Sequence, residues 1–204
     1  MSENPALTER DMLDLLLARY NTERPGTIAD RWVRAEHVRS TQRLGYETVS
    51  IADFVAVDKY STTQAIHGHE VKVSRSDWLS ELKDPTKSER IKRFCDFWWL
   101  VVPDASIVKP GELPEGWGLM AQSGKVLRAK VKAPKLAPVP LTLDFIAGLT
   151  AAAARTASRE PLRRDARTID MWNDRTRTSH GLCQACGEPA PCNLHQPRKL
   201  GAAA

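Results

Sequence analysis

Apolar residues recur at helical spacing from Met12 to Leu17, and Thr8-Glu9-Arg10-Asp11 ahead of them supplies a cap and an acid to close the capping box, so a helix running to Tyr20 is predicted. The polar stretch 21–30 predicts a loop. The period then falls to two: Trp32, Arg34, Glu36 and Val38 alternate with Val33, Ala35 and His37, which predicts a strand over 31–39. Residues 49–58 form an apolar run with one embedded charge, Asp53, and predict a buried strand. After a turn region from Lys59 to Gly68, a third strand is predicted over about 68–75, with Val71 and Val73 toward the core and Glu70 and Lys72 on the other face. Trp78 to Leu82 forms a short segment before Asp84-Pro85. Thr86 to Asp96 predicts an amphipathic helix with Ile91 and Phe94 inward, and Phe97 to Val102 a buried strand with Trp98 and Trp99 on opposite faces. A hairpin over 118–131, an extended linker or edge strand over 130–140 and an alanine-rich helix over 143–158 complete the pattern. The order helix, three strands, helix, strand predicts an α/β domain.

Candidate chemistry enters at Asp53. A carboxylate embedded in an apolar strand is costly unless it is paired or bound to a cation. If the second and third strands are neighbours, Asp53 and Glu70 converge on one hard divalent ion. Mg²⁺ suits such a site because it takes few carboxylates, keeps several waters and accepts a phosphate oxygen. Lys72, two residues from Glu70 and on the same face, is placed to orient or deprotonate an attacking water or to stabilise charge on the phosphate. The bare spacing also fits an ordinary solvated strand face, so the longer context decides.

That context is Glu70-Val71-Lys72-Val73-Ser74-Arg75-Ser76-Asp77-Trp78-Leu79, then Glu81-Leu82-Lys83-Asp84-Pro85, Cys95-Asp96-Phe97-Trp98-Trp99-Leu100-Val101-Val102-Pro103 and Gly111-Glu112-Leu113-Pro114 with Gly116-Trp117-Gly118-Leu119. It resembles the MmcB-like DNA repair proteins of bacterial and phage genomes, which belong to the PD-(D/E)XK, or restriction-endonuclease-like, superfamily. The likeness covers roughly residues 10–130 and is densest over 50–119. It implies a restriction-endonuclease-like αβββαβ core, with Asp53 as the metal-binding acid, Glu70 as the second acid and Lys72 as the catalytic lysine. The Val71 carbonyl would complete the inner shell of Mg²⁺ or Mn²⁺. Ala52 stands where the superfamily often has proline. For the superfamily's auxiliary acid the best candidate is Glu36, with Asp14 behind it.

Several neighbours carry two readings each. His67 and His69 can meet a phosphate or metal, or serve as a turn and a strand-edge residue. Arg75, Lys83 and Lys87 can contact DNA backbone or be solvated charges, and Asp77 can cap the segment after it. Trp117 either makes a surface contact or covers the sheet edge. Cys95, in an apolar setting, reads as a small core residue.

A second constellation lies at the other end. Cys183, Cys186, Cys192 and His195 form a closed tetrahedral ligand set for structural Zn²⁺, with Gly187, Pro189 and Pro191 supplying the bends of a small knuckle. A redox pair or an incidental cluster is the competing reading. Between the two constellations, Arg155 to Arg177 carries seven arginines against four acids, and Arg175 and Arg177 are candidates for sequence-independent phosphate contacts or for a solvated run. The expected organisation is thus a nuclease-like domain over 1–140, a helix and basic connector over 141–178 and a zinc module over 179–200.

Composition agrees with this reading. A chain of 204 residues is long enough for one real core plus an appendage, and a formal charge of +5 favours a polyanionic partner. Met1-Ser2-Glu3-Asn4-Pro5 predicts no signal peptide, and the longest strongly apolar run, Phe97 to Val102, is too short to span a bilayer. The expectation is a cytoplasmic protein of the bacterial nucleoid or the phage-infected cell, partnered by DNA and not by membrane, with a homodimer or a protein partner through the C-terminal module left open. The expected function is a Mg²⁺- or Mn²⁺-dependent DNA nuclease. The alternatives are a non-catalytic DNA-binding or inhibitory adaptor on the same fold, and an RNA-directed nuclease.

Overall fold

The computed structural model describes residues 7–21, 30–40, 49–60, 62–84 and 86–159. They belong to one compact unit, Met1–Pro161, whose frame is a six-stranded mixed sheet in the order β1-β2-β3-β4-β5-β6. The chain runs α1 (Glu9–Arg19), β1 (Trp32–Arg39), β2 (Ile51–Asp58), β3 (Ala65–Val71), α2 (Arg75–Leu82), α3 (Thr86–Lys92), β4 (Phe97–Val102), β5 (Trp117–Ser123), β6 (Val126–Val131) and α4 (Leu143–Arg159). β1, β2 and β3 pair antiparallel, β4 runs parallel to both β3 and β5, and the β5–β6 hairpin is antiparallel. The central parallel strand, Phe-Trp-Trp-Leu-Val-Val, is apolar throughout because both of its faces are covered.

Helix α1 covers one face. Met12, Leu13, Leu16, Leu17 and Tyr20 meet Phe54, Ala56, Val71, Trp99, Val101 and Met120. The opposite face is covered by α2, α3 and α4 through Trp78, Ile91, Phe94, Phe145 and Ala152, which pack with Val55, Trp98, Leu100 and Trp117. Full burial of each large apolar side chain contributes about 1.5–3 kcal/mol, so these two layers hold the sheet rigid where the polar site is built. Leu136 and Val139 donate backbone N–H groups to the carbonyls of Asp96 and Arg93, tying the extended chain after β6 to the α3–β4 turn.

Two glycines permit this packing. A Cβ at Gly68 would lie 2.3 Å from the Trp98 ring and one at Gly118 2.5 Å from the Trp99 ring, and these are directly paired positions in the sheet. Gly68 is therefore a strand residue, not part of a turn, and β3 begins at Ala65, three residues before the predicted start, and ends at Val71. His67 and His69 accordingly lie inside the strand and not at a turn and an edge. Burial pushes the His67 pKa down to about 4 and depresses that of His69 further below the usual range. His69 is fully enclosed, with Nε2 2.9 Å from the Tyr20 hydroxyl, so both histidines stay neutral and away from solvent phosphate.

Other expectations are corrected in the same region. The Trp78–Leu82 segment is part of a full helix, α2, capped by Ser74, whose side chain accepts from the Asp77 backbone N–H; Asp77 is the capped residue and not the cap. Trp117 is only 4% exposed and packs on Trp78 and Trp98, so it is core. Helix α3 stops at Lys92, with Ile91 and Phe94 buried as expected. Cys95 is buried as a core residue, its thiol pKa pushed up by burial.

β1 departs from regular alternation at His37. Ala35 and Val38, three residues apart, face the same core layer, as do their partners Val55 and Ala52. The rotation is taken up at His37, whose φ is 52°. Left-handed backbone is uncommon outside glycine, and histidine is among the residues that tolerate it. The irregularity lies beside Asp53.

Candidate metal centre

Pairing of β2 with β3 runs from Asp58↔Ala65 to Phe54↔His69 and then stops. Beyond that point the strands part. The Val71 N–H donates to Asp53 Oδ2 at 2.7 Å, while the Lys72 N–H joins the parallel ladder through the Val101 carbonyl at 3.0 Å. A side-chain carboxylate thus takes the place of a main-chain acceptor where the sheet opens, which fixes Asp53 against β3 and leaves its second oxygen for another partner.

Glu70 is buried near the C-terminal end of β3. The Lys72 ammonium, one residue past the strand, donates to Glu70 Oε1 at 2.6 Å and lies 3.1 Å from Glu81 Oε2 on α2. Burial pushes the Asp53 carboxyl up to about 6, outweighing the Val71 hydrogen bond and the Lys72 charge. Glu70 is pushed up to about 8, first by burial and then by the neighbouring Asp53 charge. Lys72 is driven the other way from what burial alone would do: the carboxylates of Glu70, Glu81 and Asp53 raise its pKa above the ordinary lysine value. The lysine is held as an ammonium, and the two acids are short of positive charge.

A cleft of about 360 Å³ opens over these groups, lined by Glu9, Lys72, Asp77, Ser80, Glu81 and Lys87 together with Val71 and Val73. Glu9 from α1, His37 from β1 and Asp53 from β2 each place a ligand atom within 4.8 Å of the others. Neither Glu9 nor Glu81 stands out in the sequence. Glu9 reads there as a first-turn acid of a capped helix, and Glu81 as one charge of a polar segment; only the sheet register and helix positions bring them to Asp53 and Lys72.

Glu36 occupies a different setting. Its buried carboxylate accepts from Arg10 at 2.8 and 2.6 Å and from Arg159 at 2.9 Å, and its backbone N–H donates to Thr156 Oγ1 at 2.9 Å. Although burial opposes it, the two guanidiniums lower its pKa, so Glu36 is a clamp joining α1, β1 and α4. Asp14 is exposed and paired with Arg10. Arg75 donates to both Glu112 oxygens and to the Ile107 carbonyl, the last at 2.7 Å. Lys83 and Lys87 are exposed, and Lys87 lines the cleft. Arg175, Arg177, Cys183, Cys186, Cys192 and His195 lie outside the described residues, as does the expected zinc module as a whole.

The donor set at the opening of the sheet fits a hard divalent cation. Two buried carboxylates with raised proton affinity, one backbone carbonyl between Glu70 and Lys72 and an open cleft supply oxygen ligands and room for water and a phosphate. No helix among the described residues is long and apolar enough to cross a membrane.

No protein-family profile and no curated protein matches this chain. Among solved structures it is similar to the SPO1766 protein of unknown function from Silicibacter pomeroyi, at 19% identity and a TM-score of 0.49, over 82% of this chain and 96% of that one.

Proposed function

We propose that this protein is a divalent-metal-dependent DNA nuclease with a restriction-endonuclease-like core, acting in DNA repair, recombination or phage DNA processing. The observation that carries the proposal is the convergence of Asp53, Glu70 and Lys72 at the point where β2 and β3 part, beneath an open cleft. The sequence resemblance to the MmcB-like proteins supports the same three residues independently of the geometry.

In this reading Asp53 and Glu70 hold Mg²⁺ or Mn²⁺, with the Val71 carbonyl in its inner shell. The ion supplies Lewis-acid polarisation of the scissile phosphate and neutralises charge that develops on it. Lys72 acts as a positioned cation. Because its neighbours keep it protonated, it donates hydrogen bonds to the attacking water and the phosphate and does not remove a proton. Glu81 is a positioning residue that restrains the ammonium from the side opposite Glu70. The buried Val71 and the packed Trp78 keep β3 and α2 from shifting, as a centre needing sub-ångström placement requires. The C-terminal Cys183, Cys186, Cys192 and His195 set would hold a structural Zn²⁺ in a module gripping DNA or a protein partner.

The test is single-turnover cleavage of labelled DNA in Mn²⁺ by the wild type, Asp53→Asn and Glu70→Gln, with circular dichroism to verify folding. Both variants should lose at least about 10²-fold in rate while remaining folded, since each removes a charge holding the ion. Folded variants that cut as fast as the wild type would remove the proposed centre.

A further inference from the structure

Glu9, His37 and Asp53 come from three different elements, and their ligand atoms all lie within 4.8 Å of one another. We propose that these three side chains bind a second divalent ion, of the first-row transition-metal class, with Asp53 shared between it and the Asp53–Glu70 cation. The shared aspartate is the only point at which this site rests on the nuclease reading.

Ligand atoms of one ion sit about 2.0–2.2 Å from it and hence at most about 4.4 Å from each other, so closing this set needs movements of a few tenths of an ångström. His37 Nδ1 and Glu9 Oε1 are 3.9 Å apart, too far for a hydrogen bond and well within the separation of two ligands on a common centre. The Val71 N–H occupies only Oδ2 of Asp53, which leaves Oδ1 free to turn toward Glu9 and His37.

Charge and backbone favour the same assignment. Arg10, the neighbour of Glu9, is committed to Glu36, and Glu36, the neighbour of His37, is committed to Arg10 and Arg159. The nearest cations are therefore spent on an acid outside the cluster, and the negative charge of Glu9 and Asp53 is left to be met at the cleft. His37 reaches the cluster through its left-handed backbone, at φ 52°; a regular strand would alternate past this position. An imidazole among carboxylates selects against Mg²⁺ and Ca²⁺, which prefer all-oxygen shells, and toward Mn²⁺, Fe²⁺ or Zn²⁺. Glu9 and His37 are half-exposed to exposed, so the site is open and exchangeable, not a closed structural one.

The probe is Mn²⁺, a hard ion that thiolates hold poorly, so the C-terminal cysteines do not enter the count. Electron paramagnetic resonance gives the number of ions bound per full chain, and electron spin echo modulation reports an imidazole nitrogen on the metal. Asparagine tolerates left-handed backbone, so His37→Asn removes the imidazole without forcing the strand to move. The wild type should bind two Mn²⁺ with nitrogen modulation. His37→Asn should bind one without it, and Glu70→Gln one that retains it. Absence of nitrogen modulation in the wild type, or its persistence in folded His37→Asn, would overturn the site. If His37→Asn lowers the count and Glu70→Gln leaves it unchanged, the second site stands and the Asp53–Glu70 cation fails.

Discussion

Three side chains decide whether the centre works, and their protonation gives the first check. Asp53 and Glu70 are pushed up to about 6 and about 8 from ordinary values of 3.8 and 4.5. A carboxyl whose folded pKa is raised gives stability that is complete below its unfolded pKa and is lost as pH rises through the folded one. The metal-free protein should therefore melt at lower temperature at pH 8.5 than at pH 5, and added Mn²⁺ should raise the melting temperature more at pH 8.5, where both acids are ionised. The doubly neutral variant Asp53→Asn/Glu70→Gln should show a smaller fall between the two pH values. An equal fall in wild type and variant would assign the effect to other groups. Lys72 has the opposite character: its ammonium is supported by Glu70 and Glu81, so Glu81→Gln should slow cleavage about tenfold by loosening it, while Lys72→Ala should remove at least about 10²-fold. Steady-state rates across pH 6–9 separate the two.

At the scale of elements, the ends of strands carry the specificity of the fold. Asp58 closes β2 by accepting from Arg31 at 3.0 and 2.5 Å, from the Thr63 hydroxyl at 2.7 Å and from the Tyr60 N–H at 3.1 Å. These bonds overcome burial and lower its pKa from 3.8 to about 2. A lowered acid contributes stability present above its unfolded pKa and lost as pH falls through the folded one. Asp58→Asn should thus cost about 2 kcal/mol near neutral pH, measured by urea unfolding, with the difference shrinking toward pH 2. Gly68→Ala and Gly118→Ala should each cost about 1–3 kcal/mol or more, because the new methyl meets a buried indole ring 2.3–2.5 Å away that cannot withdraw. Denaturant midpoints equal to wild type would contradict the packing described.

The same two glycines explain what was and was not legible in the sequence. The capping box of Thr8 and Asp11, the alternation of β1, the buried run around Asp53 and the Phe97–Val102 strand all follow from local pattern and agree with the structure. Gly68 reads locally as a turn, since the cause of its being glycine is Trp98, thirty residues later and paired beside it in the sheet. Helix α2 was hidden because only Trp78 among its residues is buried, which leaves no apolar stripe to detect. His37 carried no signal for its left-handed backbone, and the cluster with Glu9 depends on it. Asp53, Glu70 and Lys72 were legible as candidates because an embedded charge and a two-residue spacing are local features; Glu36 looked equivalent to them until its two arginines were placed.

For the whole molecule, the account joins a rigid mixed sheet, a cleft at its open end and a basic chain. With a formal charge of +5, DNA binding should weaken steeply with salt, and charge reversal at Lys87, on the cleft, should reduce the slope of log affinity against log salt by about one. The cysteine and histidine cluster should bring one equivalent of Zn²⁺ with the full chain, lost in Cys183→Ser, as measured by metal analysis after dialysis. The measurement that tests the central claim most directly is incubation of single-stranded, duplex, flapped and branched DNA with the wild type and Lys72→Ala in Mg²⁺, Mn²⁺ or EDTA. The account expects cutting of at least one of these structures by the wild type, abolished by EDTA and by the substitution. Binding without cutting in either protein under every condition would contradict it and assign the fold to a DNA-binding adaptor.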